Sequence, residues 1–113
     1  NIFEKLQLHL VDFGLVSKWR NNKTGKHLEQ SHVGYFEGNL YFSSQHQLEV
    51  KRTSRRDDMH SLIYLMIYLL NRCTIPAIDL ALLGQKKDVK TQMNIIHKIK
   101  NDTSLAGFCT DRA

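Results

Sequence analysis

Ser54-Arg55-Arg56-Asp57-Asp58-Met59-His60-Ser61-Leu62-Ile63-Tyr64-Leu65-Met66-Ile67-Tyr68-Leu69-Leu70 decides how this chain is organised. Two consecutive carboxylates open it, where they accept from free backbone N–H groups and favour the positive end of a helix dipole. Ser54 or Thr53 is placed to cap. From Met59 to Leu70 only His60 and Ser61 break an apolar surface that covers every face. A helix of that kind is expected at the centre of a fold. Asn71 to Thr74 ends it, and Pro76 blocks its continuation.

Upstream, Ile2 to Leu10 alternates imperfectly, with Leu6, Leu8 and Leu10 on one side and Gln7 and His9 on the other. That is a strand signature, and a small hairpin is expected ahead of Asp12-Phe13-Gly14. Asn21 to Lys26 is a polar turn cluster. The chain then runs to about Arg52 without periodicity, with Gly34 and Gly38 as expected left-handed positions. An irregular stretch of that length is usually functional or disordered. Downstream, Val89, Met93, Ile96 and Ile99 space an amphipathic helix over 86–99. Lys86, Lys87, Lys90, Lys98 and Lys100 are expected on its solvated face, and the tail from Asn101 shows no clear element.

These stretches resemble the casein kinase I family of protein kinases. The family reads Asp-Phe-Gly-Leu-Ala, Lys-Thr with a nearby His, Thr-Gly-Thr-Ala-Arg-Tyr-Ala-Ser, then Ser-Arg-Arg-Asp-Asp-Leu-Glu-Ser-Leu. The matching residues here are Asp12 to Arg20, Lys23-Thr24 with His27, Glu37 to Ser44, and Ser54 to Leu62. They follow one another without a gap from Asp12 to about Leu70, roughly half of the 113 residues, and the likeness fades after Pro76.

The resemblance implies an α+β fold. It would be a partial kinase-like C-lobe, mainly helical, with a short β-hairpin and a long activation segment. Residues 1–11 would be the strand region, 12–53 the Asp-Phe-Gly turn and activation segment, 54–72 the central helix called αF, and 80–100 an αG-like region. Asp12 would bind Mg²⁺ beside ATP, and Phe13 and Gly14 would form the activation switch. Gly38, Asn39, Leu40 and Tyr41 would contact substrate. Asp58, Arg55 and Arg56 would be structural, with the Asp58 carboxylate receiving backbone N–H groups.

No Gly-rich phosphate loop, strand Lys or His-Arg-Asp block occurs in the sequence, so no catalytic residue is assigned and N-lobe and catalytic loop are absent. The chain also opens on Asn1. The expectation is a fragment of a Ser/Thr kinase that is inactive alone, its apolar central helix left partly uncovered so that it associates or stays partly molten. The alternative is a pseudokinase or regulatory scaffold. Three departures favour it: Asn39 stands where the family has Thr, Tyr41 where it has a phosphate-binding Arg, and Ile63 where it has a Gly. Tyr does not replace a bidentate Arg contact.

The net charge of +5 favours acidic or phosphorylated protein substrates. Lys51, Arg52, Arg55 and Arg56 lack interleaved aromatics, which argues against nucleic acid. Cys73 and Cys109 have neither metal spacing nor a disulfide framework, as suits an intracellular, cytoplasmic or nuclear protein. Six scattered histidines show no ligand pattern, and no apolar run is long enough to span a bilayer.

Overall fold

A computed structural model describes residues 5–83 and 88–109. Four helices follow an irregular N-terminal third: α1 (Gln45–Leu48), α2 (Arg55–Leu70), α3 (Pro76–Leu82) and α4 (Val89–Asp102), then a 3₁₀ turn at Ala106–Phe108. The described chain is thus mainly helical. Antiparallel pairing among the described residues is confined to two isolated bridges, Arg20 with His27 and His32 with Lys51.

The strand expected before Asp12 does not form among residues 5–11. Leu6, Leu8 and Leu10 are 68%, 102% and 88% exposed. Alternation marks a face, but a strand needs a neighbour for its N–H and C=O groups, and none of the described segments forms a bridge with this one. Residues 1–4 of that expectation lie outside the described part. The small hairpin-like turn lies after Gly14 instead, where the Leu28 N–H donates to Trp19 O at 2.9 Å and the Asn21 N–H to Lys26 O at 2.8 Å.

α2 begins where the sequence places it. The Ser54 N–H donates to Asp57 Oδ2 at 2.8 Å, so the third helical residue reaches back to satisfy the residue before the helix. Arg72 and Cys73, with φ of 59° and 61°, turn the chain sharply beyond the last helical turn. Pro76 does more than stop α2, because it opens α3, a helix the sequence reading did not separate. Proline suits that first position, since it has no N–H to leave unsatisfied.

The core is Leu48, Tyr64, Ile67, Ile75, Ile78, Ile96 and Phe108. α4 packs against α1 and α3. Phe108 meets Tyr64 edge-on at 5.7 Å, and the Asn71 side chain donates to Phe108 O at 2.8 Å, which ties down the tail in which the sequence shows no clear element. Residues 110–113 of that tail, like residues 84–87 and their two lysines, lie outside the described residues.

α2 is covered on one side only. Met59, Leu62, Met66 and Leu69 stay 56%, 46%, 52% and 58% exposed, so the helix is not at the centre of a closed core. Ile63 is half-buried and packs against the core, so the branched side chain at the family's glycine position finds room here. The Cα radius of gyration, 16.4 Å, exceeds the roughly 13 Å of a compact domain of this length.

Candidate functional site

The segment Gly38–Ser44 is the best-organised part of the irregular region, and three elements hold it. Gly38 has φ 128°, open to glycine but strained for other residues. Asn39 then folds the turn on itself: its Oδ1 accepts from the N–H of Tyr41 at 2.7 Å and of Phe42 at 3.3 Å. The Ser43 N–H donates to Asn39 O at 2.9 Å. Asn at the family's Thr position therefore works as a turn-former of the kind its side chain favours.

Tyr41 points into the protein. Its ring packs with Phe42 at 4.9 Å and edge-on with Tyr68 at 5.5 Å. Its hydroxyl accepts from the Ile75 N–H, just before α3. Burial, with the hydroxyl's hydrogen bond to Asp79, pushes its pKa up to about 12. Leu40 also packs against the core. Of the four residues assigned to substrate contact, Gly38 and Asn39 are exposed, whereas Leu40 and Tyr41 serve as anchors.

The end of the loop is fixed by Asp57 rather than by Asp58. The Ser44 hydroxyl, fully buried, donates to Asp57 Oδ1 at 2.7 Å. Burial alone would raise the Asp57 pKa, but the hydrogen bonds from Ser44 and Ser54 outweigh it, with Arg56 at 3.6 Å, and hold the carboxyl below its ordinary range. Asp58 is exposed. Two adjacent carboxylates on a helix face different ways, so one is sequestered and the other is not. Arg55 stacks over the Trp19 ring at 3.6 Å, a cation–π contact joining the post-Gly14 segment to α2.

Lys100, expected on the solvated face of α4, is 1% exposed. Its Nζ donates to the carbonyls of Leu40 at 3.2 Å and Tyr41 at 3.0 Å, and to that of Ser43. A signal existed: Lys100 lies seven and four residues beyond Met93 and Ile96, in phase with the apolar stripe. Its charge suggested the opposite face.

Asp12, Phe13 and Gly14 are all exposed, 24 or more residues before Gly38. The left-handed position of that turn is Asp12, φ 62°, and not Gly14. An Asp tolerates this because its own Oδ1 accepts from the Gly14 N–H at 3.3 Å. Asp12 shares the wall of an open cleft of about 330 Å³ with Asp58, Lys18 and Arg55. Two exposed carboxylates in a cleft that also holds two cations make a poor Mg²⁺ site by themselves. Among the described residues no group of three His, Cys, Asp or Glu side chains comes together to hold a metal. No helix among them is long and apolar enough to cross a membrane.

No family model matches the chain. Over 68 residues, 59% of its length, it is 34% identical to Casein kinase 1-like protein HD16 of Oryza sativa subsp. japonica. It spans only 10% of that relative's length. The similarity supports a kinase-family relationship over part of this chain.

Proposed function

We propose that the chain is a segment of the C-terminal lobe of a Ser/Thr protein kinase of the casein kinase I type, with 12–53 as the activation segment, 54–72 as αF and 80–100 as an αG-like region. Residues 38–44 form its peptide-facing loop, and the chain alone transfers no phosphoryl group. The observation that carries this reading is the loop itself, an irregular segment held in one conformation by Asp57 on α2, Ile75 before α3 and Lys100 on α4. Loops fixed by a helical scaffold are where binding residues concentrate.

Phosphoryl transfer is positioning plus electrostatic stabilisation, and needs a residue to orient the nucleophile and cations to clamp the phosphates. Asp12 would help hold a Mg²⁺, which would neutralise phosphate charge in that machinery, only together with further ligands from elsewhere. Phe13 and Gly14 follow it as the switch. The natural partners of such a lobe are acidic or phosphorylated proteins inside the cell, in keeping with the +5 charge.

The test is incubation of the purified 113-residue chain with radiolabelled ATP, Mg²⁺ and acidic Ser/Thr peptides. No incorporation above a protein-free blank is expected. Labelling that disappears when Asp12→Ala is introduced would overturn the inactive assignment.

A second reading, a non-catalytic regulatory or scaffold relative, is favoured by Tyr41. Its hydroxyl is engaged with Ile75, so the position supplies no cation to a substrate phosphate.

A further inference from the structure

Lys100 is the most thoroughly buried cation among the described residues, and no carboxylate faces it. Its Nζ has the carbonyls of Leu40, Tyr41 and Ser43 on one side. The Tyr64 ring lies on another, its centroid 4.4 Å away. Burying an ammonium without a counter-ion is costly unless its protons are all hydrogen-bonded. A methionine has nearly the same length and would fill this space without that cost. Packing alone therefore does not account for an ammonium here.

The loop accounts for it. Asn39 binds the N–H groups of residues 41 to 43 through its side chain and carbonyl. The carbonyls of residues 40, 41 and 43 converge on the Lys100 Nζ. Three converging carbonyls need a donor with three protons, and Lys is the side chain that has them at a single atom. The link is reciprocal: the Gln45 Nε2 donates to the Lys100 carbonyl at 3.2 Å, which ties the α4 backbone to the far end of the loop.

We propose that Lys100 is the positioning residue of the peptide-facing loop, gathering its inward carbonyls and so fixing the outward Gly38–Asn39 surface that a bound peptide meets. The role assigned to the loop rests on the peptide-site reading above. The way the loop is held rests on the hydrogen bonds alone.

Amide exchange of the ¹⁵N-labelled 113-residue chain tests it, with Lys100→Met and Lys100→Arg beside the unsubstituted protein. Lys100→Met is expected to lose about tenfold or more of the protection at Tyr41, Phe42 and Ser43, equivalent to about 1.4 kcal/mol. Helix α3 should be unchanged, and Lys100→Arg should restore part of the loss. Unchanged loop protection in Lys100→Met, or an equal loss throughout the protein, overturns the proposal.

Should Lys100→Met not fold, a pH titration of the unsubstituted protein decides. Burial pushes the Lys100 pKa down to about 7. Its ε-carbon signal and the amides of residues 41–44 should therefore move with one midpoint well below the ordinary lysine value of 10.5. Tyr64, whose ring it faces, and Tyr41, whose carbonyl it binds, are held up at about 12 and stay silent there. His46 of α1 is followed separately by its ring signals. A Lys100 that titrates at the ordinary lysine value of 10.5 while the loop amides stay still overturns the proposal. Peptide is absent from all these arms, so failure of the separate peptide titration counts against the peptide site alone.

Discussion

The Ser44 hydroxyl donates to Asp57 Oδ1 at 2.7 Å, joining the end of the 38–44 loop to the first turn of α2. The same carboxylate accepts from the Ser54 N–H, so removing it strands a buried hydroxyl and an unsatisfied helix start. Asp57→Ala should cost about 2–4 kcal/mol in urea unfolding, whereas Asp58→Ala should cost under about 1 kcal/mol. Equal effects would mean that the two carboxylates are interchangeable and that the loop is not fixed through Asp57.

Tyr41 allows a second comparison. Tyr41→Phe leaves the Ile75 N–H without its acceptor and should cost about 1 kcal/mol. Tyr41→Arg introduces the residue of the casein kinase I family, yet places a cation among Phe42 and Tyr68 and should cost more, about 2 kcal/mol or above. Thermal unfolding of both variants is the check. A neutral Tyr41→Arg would show that the side chain faces solvent.

Acid should loosen the contact between the α1 terminus and α4. Hydrogen bonds from Lys51 at 2.5 Å and His97 at 3.0 Å hold the Glu49 pKa down to about 2. Because the folded value lies below the unfolded one, the stabilisation is present above the ordinary Glu pKa of 4.5 and is lost as pH falls from there toward 2. The group is partly exposed, so the effect is small. Melting temperature against pH should fall less steeply in Glu49→Gln between those limits, and parallel curves would contradict the linkage.

The open side of α2 should make the chain associate. Met59, Leu62, Met66 and Leu69 repeat every three or four residues along an exposed stripe. Sedimentation should show mass rising with concentration, and Leu62→Lys with Met66→Lys should reduce it. A sharp cooperative melt from a strict monomer would contradict this.

α2 was legible in the sequence because its signals are local: a Ser before the helix, an Asp at its third position, and an unbroken apolar run. Which of its faces is covered depends on distant segments, and no local pattern reports that. The N-terminal alternation misled for the same reason, since it names a face without naming a partner. Pro76 reads equally as an end or a beginning, and only the chain reversal at Arg72–Cys73 shows that it begins α3. Phe108 is buried because Tyr64 lies opposite, a relationship between residues 44 positions apart. Asp57 and Asp58 are the same residue type one step apart, and only the backbone geometry of the first turn separates them. Lys100 was assigned by charge when its phase with Met93 and Ile96 placed it inside.

The central claim is that residues 38–44 form a peptide-facing loop held ready by α2 and α4. The most direct test is a titration of the ¹⁵N-labelled chain with an acidic Ser/Thr peptide, followed at every amide. Saturable shifts concentrated at residues 38–44 are the expected result. No shifts at millimolar peptide, or shifts confined to other segments, would contradict the account.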